Sequence, residues 1–208
     1  MRPSLSSPRL ASLVRRALLE GQSPDARDAI AFFLSRDAHS DVDYWAVIAY
    51  DMTSLDDSLA GRSASPRVHS TMYLYGHSDP ECNGARSVSH AFSASPGSGW
   101  GRLVYTAAVG LLGPVMPDRH SVSPAAEATW RSLIRSQTIV GTPLPDQCLG
   151  DEFHGRRGYE NPALNMSYTL AGEVPAEVAG LVQRGIAHRA GLTRQGLLPQ
   201  SESLLTGG

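Results

Sequence analysis

The sequence predicts an α+β domain: a mixed, mostly antiparallel central sheet with helices on both faces. Three observations carry that expectation. Three apolar segments rich in aromatic and β-branched residues lie between Asp43 and Ser95, joined by short polar connectors; consecutive strands of this kind pair antiparallel. A strand–helix–strand passage then follows Ser95, which requires a parallel crossover, right-handed by general rule. Stretches of helical period stand on either side of these strands in the chain.

The elements read as follows. Leu10, Leu13, Val14, Ala17 and Leu18 form an apolar stripe that stops at Gly21, an amphipathic helix. Ser23 and Pro24 offer an N-cap and first turn for a second helix, with Ala26, Ala29, Ile30, Phe33 and Leu34 on one side. Two N-terminal helices are therefore expected within residues 9–37. "DYWAVIAYDM" (Asp43 to Met52), "HSTMYLYG" (His69 to Gly76) and "ARSVSHAFSAS" (Ala85 to Ser95) read as strands, and "DDSLAGRSASPR" as a polar connector. In the third strand, alternation places Val88, His90 and Phe92 on one face. From Trp100 to Leu112, the residues Leu103, Val104, Ala107, Ala108, Leu111 and Leu112 make a broad helical stripe, ended by Gly113-Pro114. "PVMP" gives a brief strand, and Ser123-Pro124 caps a helix that buries Ala126, Trp130, Leu133 and Ile134. A long loop, "VGTPLPDQCLGDEFHGRRGYENP", leads to a last strand, "ALNMSYTLAG". "PAEVAGLVQRGIAHRAG" reads as a C-terminal helix and "LPQSESLLTGG" as a flexible tail.

Composition narrows the function classes. Net charge is −2, with 41% apolar and 18% charged residues, so the chain reads as globular and its overall charge asks for no nucleic-acid partner. No apolar run approaches the ~20 residues that span a bilayer. The N-terminus lacks the apolar core and cleavage site of a secretory leader, so no membrane partner and a cytoplasmic location are expected. All 18 basic residues are arginine, which provides fixed charge and forked geometry for phosphates or protein partners.

Two cysteines, Cys82 and Cys148, do not make a disulfide framework. Together with His77 and His154 they outline a zinc set on paper. The spacing leaves four residues between His77 and Cys82 and five between Cys148 and His154, not the tight pairs of structural zinc sites, and no metal site is expected.

"GSGWGR", Gly97 to Arg102, sits at a strand-to-helix junction. A helix start offers unpaired N–H groups and the positive end of the macrodipole, and glycines let the backbone close on an anion. The stretch suits a pyrophosphate, though an ordinary glycine turn has the same composition.

At these residues the chain resembles the GNAT superfamily of acyl-CoA-dependent N-acyltransferases, and most of all its bacteriophage-type GNAT-like members. The resemblance rests on "CNGARSVSHAFSASPGSGWGRLVY", "MPDRHSVSPAAEATW", "LPDQC" and "NPALNMSYTL", and it covers roughly Met72 to Leu170. It implies a GNAT-like domain over residues 1–172, with its core at 43–170, followed by a C-terminal helix and tail at 173–208. It also implies acetyl-CoA as cofactor, with Gly99, Trp100, Gly101 and Arg102 as the pyrophosphate cradle, and an amine as acceptor. Two positions depart from the family. The Gln or Arg at the head of the loop is Pro96 here, and the tyrosine that protonates the leaving thiolate has no counterpart on the following helix, whose aromatic is Trp130.

N-acyl transfer needs a base, positioning and oxyanion stabilisation. His90 is the candidate base, or else a core histidine bonded to a neighbour. Asp118, just past the short strand, is the candidate carboxylate, or else half of a loop-bracing pair with Arg119 or a cap to the next helix. The expected function is acetyl transfer from acetyl-CoA to an amine. The alternative is a non-catalytic GNAT-like phage virion or partner-binding protein, placed in the host cytoplasm or the virion.

Overall fold

The computed structural model describes residues 26–36, 43–94, 97–151 and 156–195. The expected helix at Leu10 to Leu18, the C-terminal tail and His154 lie outside the described residues.

The chain enters strand β1 (Asp28–Arg36), turns back into β2 (Asp43–Asp51), forms helix α1 (Met52–Leu59), and continues through β3 (Val68–Tyr75) and β4 (Arg86–Ser93). Helix α2 (Trp100–Leu111), the two-residue strand β5 (Val115–Met116), helix α3 (Pro124–Arg135) and β6 (Ile139–Pro143) follow. A small pair, β7 (Gly150–Asp151) and β8 (Arg156–Arg157), precedes β9 (Met166–Leu170) and helix α4 (Ala176–Arg194). Seven strands form one sheet in the order β1-β2-β3-β4-β5-β9-β6. Only β4 and β5 run parallel; every other adjacent pair is antiparallel. The α+β class and the single crossover are as expected.

Residues 28–36 correct the sequence reading: they are strand, not helix. β1 pairs with β2 along its whole length, from Asp28 opposite Asp51 to Arg36 opposite Asp43. Ile30 and Phe32 enter the main core, while Ala29, Ala31 and Phe33 pack on the other face with Ile48, Met52 and Leu55. Ala29 to Phe32 are buried on both sides of the strand, and a short continuous apolar run satisfies helical and extended periods alike. The helical stripe left Phe32 unplaced; the strand buries it.

The main core lies between one sheet face and helices α2, α3 and α4. Trp130 of α3 is its centre, edge-on to Tyr105 of α2 (4.9 Å, 76°) and stacked on Tyr168 of β9 (4.9 Å, 21°). Tyr105 is therefore a packing residue. Helix α4 covers the open edge of β1. Arg184 Nε donates to Asp28 O (2.8 Å) and Arg189 Nη1 to Phe32 O (2.5 Å). Between them, a Cβ on Gly185 would stand 1.9 Å from Ile30 O. Covering an edge strand in this way removes a template for pairing with other chains. The same helix is clasped to β2 and α1 by His188, whose Nδ1 bonds Tyr50 Oη (3.0 Å) and whose Nε2 bonds Asp56 Oδ1 (2.9 Å).

The cysteines are a second correction. Cys82 and Cys148 form a disulfide, with Cα atoms 5.6 Å apart. Each sits in a short 3-10 turn, Pro80–Cys82 before β4 and Asp146–Cys148 after β6. Asn83 Nδ2 donates to Pro143 O (3.0 Å) and Ser167 Oγ (3.1 Å), fixing the first turn to the β6–β9 hairpin that carries the second. Sequence separation hides this meeting, which only the sheet order brings about.

Candidate functional site

The site begins where the sheet opens. β4 pairs with β3 as far as Ser93, but its ladder with β5 comprises only Arg86 opposite Val115 and Ser87 opposite Met116. The reason follows in the chain: Pro117 has no N–H to extend a ladder. Beyond Ser87 and Met116 the two parallel strands share no further ladder pair.

Helix α2 starts beside that opening. Its N-cap is Gly99, at φ +90°, preceded by Gly97 at φ +86°. These are left-handed conformations that glycine adopts without strain. The first intrahelical bond runs from Leu103 N to Gly99 O (3.1 Å), so the N–H groups of Trp100, Gly101 and Arg102 come before it. No side chain caps this end and no acidic residue lies in its first turn, leaving the positive end of the helix uncompensated. At Gly101 no atom stands within 4 Å of where a Cβ would be. Glycine in a helix costs about 0.5–1 kcal/mol relative to alanine, and among the described residues nothing beyond the helix itself occupies the space it leaves.

The four predicted cradle residues come together at this helix start, but their side chains differ in use. The Trp100 indole stacks on the His69 imidazole, centroids 4.3 Å apart and planes 7° from parallel, and His69 Nε2 bonds the buried Asp28 carboxylate (2.9 Å). The Arg102 guanidinium turns to other parts of the fold: Nη1 reaches Ser132 O and Oγ, and Nη2 reaches Ser136 Oγ and Thr138 Oγ1, both at 2.7 Å. Burial lowers its pKa against the pull of Glu177, and burial raises that of Glu177 against the pull of Arg102. Arg102 thus offers this helix start its backbone N–H. Among the described residues, one buried side-chain polar atom has no hydrogen-bond partner, Ser98 Oγ, directly before the N-cap. An orphan donor, an open space and free N–H groups fit an anionic cofactor group.

On the other side of the opening lie the candidate chemical groups. His90 is opposite Tyr73, whereas Val88 is opposite Leu74, so Ser89 is the extra residue of a β-bulge. The bulge reverses the alternation. His90 and Phe92 point away from Val88, on the outer face with Tyr73. Both His90 and Phe92 are exposed, correcting the expected common face and removing His90 from the core. Ser89 Oγ lies 2.7 Å from His90 Nδ1. Tyr75 joins this group: its ring centroid is 5.2 Å from that of Tyr44, and burial, followed by Tyr44 and the Asp118 charge, raises its pKa. Tyr75 is the residue sequence reasoning missed; its signal was a tyrosine at the last position of a strand, next to Gly76.

Asp118 has a double engagement. Its Oδ1 accepts from His120 N (2.8 Å), and its carbonyl accepts from Tyr159 Oη. Arg119 does not pair with it as a brace; its guanidinium donates to Pro117 O and Leu164 O and lies over the Tyr159 ring at 5.1 Å. Ser123 caps α3 as expected, accepting from Ala126 N (3.2 Å). Among the described residues no helix is long and apolar enough to cross a membrane. Comparison of the chain with family models, curated proteins and solved structures finds no match.

Proposed function

We infer that the protein is an acyl-CoA-dependent N-acyltransferase of the GNAT type, moving an acetyl group from acetyl-CoA to an amine. The observation that carries this reading is the uncapped, glycine-opened N-terminus of α2 following β4, whose parallel ladder with β5 is only two pairs long. A strand order with one parallel pair at that point and antiparallel strands on either side suits such a fold. A pantetheine arm would enter between β4 and β5 while the helix start would hold the pyrophosphate.

Bound acetyl-CoA would supply the thioester, whose C–S bond would break as the C–N bond to the amine forms. Gly99, Trp100, Gly101 and the backbone of Arg102 would hold its phosphates. With Nδ1–H donated to Ser89 Oγ, His90 would keep a lone pair on Nε2 and accept the proton the attacking amine loses. Tyr75, whose pKa burial raises, would return a proton to the leaving thiolate, the role left without a candidate on α3. General acid–base groups of this kind contribute about 10²–10⁴-fold. Thiol release from acetyl-CoA, screened against a panel of amines, tests the reading: His90→Ala should lose at least a hundredfold in kcat, and unchanged turnover would remove His90 from the mechanism.

A second reading has one specific observation behind it. Phe92 is 64% exposed and Tyr73 36% exposed on the same outer face, a surface suited to a protein partner, such as a phage virion component. Failure of a folded sample to bind CoA favours that reading.

A further inference from the structure

The Cys82–Cys148 bridge lies apart from the main core. Its cysteines pack with Ala85, Met116 and Leu144 in a small apolar cluster of their own. Both cysteines are buried, yet Glu81 and Asn83 beside one and Asp146 and Gln147 beside the other are exposed, so the bridge sits just under the surface. The chain has no third cysteine, so the thiols that reduction releases can re-form only this pair within the chain. The cluster borders the join of β4 to β5. Ala85 leads directly into Arg86, and Met116 is the partner of Ser87; the pairs Arg86–Val115 and Ser87–Met116 are the whole ladder between those strands. A segment resting on few buried apolar contacts opens at lower cost than the core does.

We propose that the Cys82–Cys148 bridge is a reversible thiol–disulfide switch that sets how firmly β4 is joined to β5. The switch goes beyond the acyl-CoA reading and does not depend on it. A small dithiol is the reductant: one of its thiolates attacks a bridge sulfur, the S–S bond breaks, and the other cysteine leaves as a thiolate. The second thiolate of the reductant then resolves the mixed disulfide, so two electrons and two protons pass to Cys82 and Cys148 and the reductant becomes a disulfide. With the bridge open, Ala85 and Met116 lose the covalent tie beside them, and the short ladder loosens while the core around Trp130 stays packed. The return path is built in. Asn83 Nδ2 donates to Pro143 O (3.0 Å) and Ser167 Oγ (3.1 Å), and Gln147 Nε2 donates to Glu81 O (3.3 Å). None of these bonds involves sulfur, and together they keep the two turns, and so the two thiols, at high effective concentration.

The full chain in excess dithiothreitol, with iodoacetamide to trap thiols, tests the switch. Reduction should proceed in the folded protein at a rate that urea below the unfolding transition changes by less than about twofold, as local opening requires. The proposal is overturned by a rate that climbs with urea as steeply as global unfolding, or by a bridge that resists the reagent until the chain unfolds. A reduced chain that loses its near-ultraviolet circular dichroism overturns it too. In the reduced, folded protein the Arg86 amide, bonded to Pro114 O (2.9 Å), should exchange at least about tenfold faster than in the oxidised one. Equal exchange overturns the link to the β4–β5 join. Asn83→Gly tests the return path, since glycine keeps the left-handed backbone there (φ 59°) and removes the amide. After transfer to oxidised glutathione the variant should re-form the bridge about tenfold more slowly than wild type. Equal rates overturn the claim that this contact holds the thiols together.

Discussion

His69 lies flat on Trp100, the first residue of α2, while its Nε2 is bonded to Asp28 at the start of β1. Strand β1, strand β3 and the helix that opens the candidate site are therefore locked at one point. Asp28 and His69 are both buried. Removing the Asp28 carboxylate leaves the buried His69 ring nitrogen without its hydrogen-bond partner, a loss of about 1–3 kcal/mol. Asp28→Ala should destabilise by about that much in chemical denaturation. A loss below about 1 kcal/mol would show that the pair does not hold the fold.

Gly185 is required by distance alone. The Cβ of an alanine would stand 1.9 Å from Ile30 O, and backbone carbonyls of a paired strand cannot retreat. Gly185→Ala should cost more than about 3 kcal/mol, as overpacking against backbone does at its upper end. Gly191→Ala, where a Cβ meets nothing within 4 Å, should be neutral or slightly stabilising through helix propensity. Melting temperatures of the two variants make the comparison within one helix.

The disulfide closes a long loop, with 66 positions of sequence separation between Cys82 and Cys148. On the chain-entropy account, a loop of that size is worth about 4 kcal/mol. Reductant, or the Cys82→Ala/Cys148→Ala variant, should lower the denaturation midpoint and raise the slope, since the freed unfolded chain exposes more surface. An unchanged midpoint under reductant would mean the bridge adds nothing to stability.

Glu177 carries a pH dependence. Burial raises its folded pKa above the ordinary carboxyl value, with Arg102 opposing. A raised folded pKa means that the folded state holds the proton more tightly, so the contribution is present in acid and is lost as pH rises through the folded pKa. Glu177→Gln abolishes that loss. The variant should therefore gain on wild type in going from acid to neutrality, measured by denaturation midpoints at both. A gain that runs the other way would mean that attraction to Arg102 outweighs burial.

Much of the fold was legible because its elements carry clear punctuation. β2, β3 and β4 lie within a residue or two of their expected ends, α2 starts at Trp100 as expected, and Ser123-Pro124 marks α3. Three things were not legible, for distinct reasons. β1 is apolar on both faces, and such a run has no period to read. α1 hides at the boundary of a strand and a polar connector, capped by Asp51 Oδ1 from Ser54 N at 2.8 Å. β6 lies in a stretch whose glycine and prolines read as loop, and it forms because β9 offers it a full antiparallel partner. Within the site, the glycine loop was visible in the letters. The bulge at Ser89 was not, and it decides which way His90 faces. The commitment of the Arg102 side chain to Ser132, Ser136 and Thr138 was equally invisible, since those residues are thirty or more positions away.

The central claim is that the start of α2 binds the phosphates of CoA, and titration calorimetry of CoA into wild type and Gly101→Glu tests it most directly. The substitution has room, since no atom lies within 4 Å of the added Cβ, and an acidic residue in the first turn favours the helix by about 0.3–1 kcal/mol. The variant should fold as well as wild type and yet repel the anion. Micromolar binding by wild type, lost in a folded Gly101→Glu, is the predicted result. A folded wild type that binds no CoA at millimolar concentration, or a Gly101→Glu variant that binds it as well as wild type, would contradict the account.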